Sequence, residues 1–96
     1  MSERTAPSLA NLDALLPLIK ALPDSPAHRT LLEETEHLRR AVAAFHMEAI
    51  RFRMYNVDHA IKGIGDPANL RQIFEALRHT LETAGFHTRS HAAPGT

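Results

Sequence analysis

The chain has 96 residues, no cysteine, and eleven lysine and arginine residues that balance eleven aspartate and glutamate residues. This length predicts one domain, and the lack of cysteine excludes disulfides, thiolate metal sites and thiol nucleophiles. The balanced charge gives no net field that would attract nucleic acid or an anionic membrane, so we expect neither as a partner. No apolar stretch approaches the ~18 residues of a membrane-spanning helix, and the N-terminus lacks the pattern of a signal peptide. We therefore expect a cytoplasmic protein of bacterial type.

The first predicted helix follows a polar, proline-containing segment, residues 1–7, which we expect to be flexible. Ser8 can cap this helix, and Pro17 within it removes the hydrogen bond to the Asp13 carbonyl, which predicts a kink. The turn at residues 22–26 ends the helix. The apolar positions of this first helix are Leu9, Leu12, Leu15, Leu16, Ile19 and Leu22.

The central segment, residues 27–62, contains neither proline nor glycine. Ser25 and Pro26 before it are a helix N-cap and a first-turn proline, and Gly63 after it favours a C-terminal cap. This pattern predicts one helix about 54 Å long, which exceeds the roughly 30 Å diameter of a compact globule of this length. A four-helix arrangement would require a turn within residues 43–47.

The central helix carries two apolar lines roughly 135° apart at 100° per residue. One contains Leu31, Leu38, Val42, Phe45, Ala49 and Phe52, and the other contains Ala43, Met47, Ile50, Met54, Val57, Ile61 and Ile64. The remaining side is solvated, with expected Glu48–Arg51 and Asp58–Lys62 pairs. The two short helices have the length to cover one line, so we predict that the other forms a homodimer interface of Met47, Ile50, Met54, Val57 and Ile61. In the competing arrangement each short helix covers one line of a monomeric bundle.

The third predicted helix begins at Pro67 after an Asp66 cap and stops at Gly85. Leu70, Phe74, Leu77, Leu81 and Ala84 recur along it at spacings of four and three. Residues 86–96 lack periodicity and are predicted to be a flexible tail, so residues 8–85 form the expected helical domain. The expected core is Phe45, Phe52, Phe74, Leu38 and Leu77. The fold prediction is therefore an all-α protein of three helices built on one long central helix, with a helical bundle completed by dimerisation.

Arg39, His46 and Arg53 lie seven residues apart, in one row between the two apolar lines. A cationic row between two interfaces can hold an anionic ligand or an acidic partner segment. The alternative is that their stems cover apolar surface while their charged ends pair with carboxylates such as Glu75 or Glu82.

The segment His59-Ala60-Ile61-Lys62-Gly63 resembles the HxxKG core of histidine phosphotransfer domains. Those domains are four-helix bundles with one exposed histidine that accepts a phosphoryl group. The resemblance implies that His59 is the phosphoacceptor, that Lys62 neutralises the phosphoryl group, and that Gly63 leaves room for a response regulator. In that family the helix continues past the glycine, whereas Gly63, Gly65 and Pro67 predict an end here.

A metal site is a third hypothesis. Glu34 and His37 have the Glu-x-x-His spacing of carboxylate bundles that bind iron, and Glu75, His79 and Glu82 share one face of the last helix. The first pair falls on the solvated side of the central helix, and no second Glu-x-x-His occurs. Surface side chains of a charged helix also account for this pattern.

The sequence contains no P-loop, nucleophile elbow or zinc-protease motif. We therefore predict no catalysis and no cofactor. The predicted function is that of a homodimeric interaction or adaptor protein that also binds another protein. Phosphotransfer through His59 is the alternative, followed by a metal-binding bundle.

Overall fold

The computed structural model describes residues 3–86, and this range contains four α-helices and no strand. They are α1 (Ala6–Lys20), α2 (Pro26–Ala43), α3 (Met47–Gly63) and α4 (Ala68–Thr83). The prediction of an all-helical fold is confirmed. The single long helix is not present, because residues 27–62 are divided between α2 and α3. The longest dimension is accordingly 34 Å.

The division between α2 and α3 is a Schellman turn at residues 44–46. The amide of Phe45 donates to the carbonyl of Val42 over 3.2 Å, and the amide of His46 donates to that of Ala41 over 3.1 Å. This pattern places Phe45 in the left-handed region, with φ of 59°. The helices α3 and α4 end in the same hydrogen-bond pattern, but glycine occupies the equivalent position there, at Gly65 and Gly85.

The break allows the two apolar lines of the central segment to share one core. Leu31, Leu38 and Val42 represent the first line in α2, and the second line lies in α3. A straight helix would hold these lines on different sides, whereas a turn folds α3 back along α2. These two helices are the most closely packed pair in the bundle.

Four of the five residues of the predicted dimer interface are fully enclosed within one chain. Ile50, Met54, Val57 and Ile61 have no exposed surface. The dimer interface predicted from these residues is therefore wrong for these four, because α3 packs them against the chain's own helices. Met47 is the exception and remains 41% exposed at the first residue of α3.

The helix α1 packs between α2 and α4 and is continuous from Ala6 through Pro17. It begins at Ala6, three residues before the start predicted from a Ser8 cap. Ser8 does not cap it: its side chain is buried, and the hydroxyl donates to Thr80 Oγ1 over 2.9 Å. The Thr80 hydroxyl in turn lies 2.8 Å from Oδ1 of Asn11, so a short polar chain joins α1 to α4.

The core prediction is confirmed in part. Leu38, Phe74 and Leu77 are fully buried, but Phe45 and Phe52 are 41% and 47% exposed. The prediction placed both phenylalanines in the core because it assumed one continuous helix. The break at residues 44–46 removes that assumption.

The predicted helix caps and the predicted C-terminal tail agree with the structure only in part. The predicted Ser25 cap is present, since its hydroxyl accepts the amide of His28 over 3.0 Å. Asp66 does not cap α4; its carboxylate instead accepts a 2.7 Å hydrogen bond from Arg71. Phe86 is buried against the core, while the predicted tail from residue 87 onward lies outside the described residues.

Within residues 3–86, no helix has the length and hydropathy needed to cross a bilayer.

Candidate interaction surface

One face of α3 is directed away from the bundle, and its residues recur at alternating spacings of four and three. We call this face the outer stripe; it consists of Glu48, Phe52, Tyr55, His59 and Lys62, all of which are exposed. At 100° per residue the stripe lies opposite the buried line of α3. The burial of that line therefore determines which residues point to solvent.

The outer stripe contains two of the four large hydrophobic side chains that are exposed among residues 3–86. Phe52 is 47% and Tyr55 is 43% exposed, and Phe45 and Met47 at the α2–α3 turn are the other two. Scattered apolar residues on a surface are ordinary, but consecutive turns of one helix bring Phe52 and Tyr55 together. The stripe thus has two exposed aromatic residues near its centre and a charged residue at each end.

Aromatic and cationic groups order the stripe. The rings of Tyr55 and His59 are nearly parallel, with an interplanar angle of 9° and centroids 6.4 Å apart. The guanidinium carbon of Arg53 lies 5.1 Å from the centroid of the Phe52 ring. A cation above a ring face is attracted by the ring quadrupole, so Arg53 favours one position of the Phe52 ring.

Arg53 is itself anchored to α2. Its Nη1 donates to Oε1 of Glu34 over 2.9 Å, and Nδ2 of Asn56 donates to the same oxygen over 3.1 Å. The Glu34 side chain is 19% exposed, so this ion pair is partly shielded from water. The network ties the stripe to the neighbouring helix and gives it a stable support.

The candidate phosphoacceptor His59 and the predicted phosphoryl-neutralising Lys62 are exposed on the stripe, and Gly63, which follows Lys62, is also exposed. A Cβ added at Gly63 would meet no atom within 4 Å, so the space at this glycine is open. The ammonium of Lys62 lies 3.2 Å from Asp58 Oδ2, so this lysine already has an anionic neighbour. The predicted Asp58–Lys62 pair is confirmed.

Asp58 also pairs across the bundle with Arg71, whose Nη1 lies 2.6 Å from its Oδ1. Burial alone would raise the pKa of Asp58, but the hydrogen bonds from Arg71 and Lys62 outweigh it and hold the pKa below its usual range. Burial likewise opposes the charge of Arg71, yet its bonds to Asp66, Asp58 and Glu75 raise its pKa further. Both groups are ionised at neutral pH.

The structure does not assemble the predicted cationic row. Arg39 Nε donates to Asp13 on α1 over 2.8 Å, and Arg53 pairs with Glu34 as described. His46 lies in the turn, where its Nδ1 accepts the amide of Ala49 over 3.1 Å and caps α3. The break at residues 44–46 changes the helix phase, so these side chains have separate partners. Arg39 and Arg53 do pair with carboxylates, as the alternative expectation held. Their partners are Asp13 and Glu34, however, and not Glu75 or Glu82.

The metal candidates are also apart. Glu34 is held by Arg53 and Asn56, while Nδ1 of His37 lies 2.9 Å from Nη2 of Arg40. Glu75 binds Arg71 and Arg78. His79 borders a cleft of about 410 Å³ between the start of α1 and the end of α4. In the described part of the chain, no group of three histidine, aspartate or glutamate side chains is placed to hold a metal ion.

Sequence reasoning missed Phe52 and Phe45 as surface residues. Tyr55, Glu48 and Lys62 were assigned to the solvated side, and all are exposed. The available signal was the overlap of two apolar lines in one segment, since a helix with buried residues on two sides leaves little room for a solvated face.

A comparison of the chain with protein-family models, with curated proteins and with solved structures returned no significant match.

Proposed function

We propose that this chain is a small non-catalytic helical interaction protein that binds protein partners, including a second copy of itself, through the outer stripe of α3. The observation that supports the proposal is the exposure of Phe52 and Tyr55 side by side on one helix face. Aromatic side chains are enriched at protein interfaces because each removes a large area from water at a low cost in conformational entropy.

The local architecture also favours binding. A helix with a solvent-facing line at spacings of four and three is suited to lie in a groove or against another helix. The Glu34–Arg53 pair keeps the Arg53 guanidinium over the Phe52 ring. The Phe52 side chain is therefore already ordered and loses little conformational entropy when a partner binds.

The test is affinity capture from the source cell with three versions of the chain. The double variant Phe52→Glu/Tyr55→Glu places charge on the stripe, and Gln72→Glu on the exposed side of α4 is the matched control. We expect one or more proteins to bind the parent and the control but not the double variant. Circular dichroism checks that all three are equally helical. Identical capture by all three versions would contradict the proposal.

Phosphotransfer is the second candidate, and one observation favours it. His59, Lys62 and Gly63 are all exposed on a four-helix bundle, with free space above the glycine. In this reaction a ring nitrogen of His59 attacks the phosphorus of an aspartyl phosphate or of a small acyl phosphate. The P–N bond forms as the P–O bond to the leaving carboxylate breaks, and Lys62 balances the phosphoryl charge.

Phosphotransfer has its own test. A radiolabelled small phosphodonor should give an acid-labile label on the parent chain and on His79→Gln, a control at another exposed histidine of the bundle. The label should be lost in His59→Gln. Absence of label on the parent, or an equal label on His59→Gln, excludes His59 as the acceptor.

A further inference from the structure

We infer that the outer stripe packs against the same stripe of a second copy, with the two α3 helices antiparallel and Tyr55 on the two-fold axis. The inference rests on the proposed function, because it takes the stripe to be a surface that binds a second copy, and it adds the orientation and the register of the two helices. The spacing of the stripe is that of a seam between two helices, in which residues four and three apart fall on one line.

The charges of the stripe are arranged symmetrically about Tyr55. Glu48 lies seven residues before it and Lys62 seven residues after it. In an antiparallel pair centred on Tyr55, Glu48 therefore faces the partner's Lys62, and the two-fold axis forms this contact twice. In a parallel pair, glutamate would face glutamate and lysine would face lysine, which is repulsive.

Both charged groups are accessible for such a contact. Glu48 makes no ion pair within residues 3–86, and the Lys62 side chain is 63% exposed although its ammonium also contacts Asp58. Phe52 lies three residues before Tyr55, and His59 lies four residues after it. The same antiparallel register therefore brings Phe52 beside the partner's His59. Two aromatic contacts then flank the central Tyr55 pair.

Two further observations favour a second copy as the occupant. Lysine and arginine equal aspartate and glutamate at eleven each, so two chains approach without net repulsion. Residues 87–96 include no valine, leucine, isoleucine, methionine, phenylalanine, tyrosine or tryptophan. They therefore offer little apolar surface with which this chain could cover its own stripe.

The test uses charge reversal and light scattering over a concentration series. The parent should approach twice the 10.7 kDa chain mass as concentration rises. Glu48→Lys and Lys62→Glu should each raise the dimer Kd roughly tenfold, because each turns two attractive contacts into repulsive ones. The combined variant should restore the parent Kd, and an equimolar mixture of the two single variants should form a heterodimer.

A cysteine experiment checks the register independently, since the parent has no cysteine. Tyr55→Cys should form a disulfide-linked dimer under mild oxidation, and the combined variant Glu48→Cys/Lys62→Cys should form a doubly linked one. Gln72→Cys, on the exposed side of α4, is the control and should form no disulfide-linked dimer.

The outcomes separate this inference from the proposed function. A parent that remains a monomer at every concentration overturns self-association, while capture that depends on the stripe would still support binding of another protein. A dimer whose Kd does not respond to either charge reversal overturns the antiparallel register. Loss of both capture and dimerisation in the parent overturns both proposals.

Discussion

Nη1 of Arg71 on α4 lies 2.6 Å from Oδ1 of Asp58 on α3 and joins the two consecutive helices that approach each other least. The same guanidinium binds Asp66 and Glu75, and its carbon lies 5.4 Å from the centroid of the Phe74 ring. One cation therefore connects α3, the turn after it, and α4. This arrangement makes the α3–α4 junction sensitive to charge.

The Asp58–Arg71 pair should make stability depend on acid. The pKa of Asp58 is lowered in the fold, so its contribution is present at neutral pH and is lost as pH falls through about 3.9 and then through the lower folded value. We expect Asp58→Asn to cost about 1 kcal/mol at neutral pH, with the difference from the parent closing in acid. Urea titrations across this pH range measure it.

The control for that experiment is Asp24→Asn, whose carboxylate is 72% exposed and pairs with the exposed Arg29. This change should alter stability by less than about 0.5 kcal/mol at neutral pH. A pH-independent cost for Asp58→Asn would show that the lost stability is not electrostatic.

The left-handed conformation of Phe45 gives a second prediction. Phe45→Ala removes the ring but keeps a Cβ at φ of 59°, whereas Phe45→Gly removes both. Both variants lose the contact with the Phe86 ring, whose centroid is 6.0 Å away. The glycine variant should therefore be more stable than the alanine variant by about 1 kcal/mol. Thermal melts of the pair measure the difference, and equal stability would exclude strain at this residue.

The two phenylalanines Phe74 and Phe52 should respond differently to truncation. Phe74 is fully enclosed, so Phe74→Ala should cost about 3–5 kcal/mol through lost burial and a cavity. Phe52 is 47% exposed, and Phe52→Ala should cost less than about 1 kcal/mol under dilute conditions where the chain is monomeric. Urea melts of both variants check this, and similar costs would contradict the observed burial.

Lysine substitutions on opposite sides of α3 should separate folding from binding. Val57 is fully buried, so Val57→Lys must desolvate or expel a charge and should unfold the chain at any concentration. Tyr55→Lys introduces the same charge on the exposed stripe and should leave the helical circular dichroism signal unchanged while weakening association. A folded Val57→Lys monomer would show that Val57 is not enclosed by its own chain. It would then support the dimer interface that the sequence predicted from Ile50, Met54, Val57 and Ile61.

Much of the fold could be predicted from local signals. The Ser25 cap, the terminator Gly85 and the four–three periodicity of Leu70, Phe74, Leu77 and Leu81 each depend on residues within a few positions, and all are present in the structure. Helix capping and amphipathic spacing are local properties, so a single sequence is sufficient to identify them. Glu48, Tyr55 and Lys62 on the exposed side of α3 were recognised for the same reason, whereas Phe52 was not.

Tertiary structure alone decided the break at residues 44–46 and, with it, the candidate surface. Nothing in Ala44, Phe45 and His46 is a strong helix terminator, and a non-glycine residue in the left-handed region costs roughly 1–2 kcal/mol. Packing of α3 against α2 outweighs that cost because it encloses Ile50, Met54, Val57 and Ile61 completely. The amino-acid sequence determined two apolar lines, and long-range packing determined that they meet inside one chain, which leaves Phe52 and Tyr55 outside.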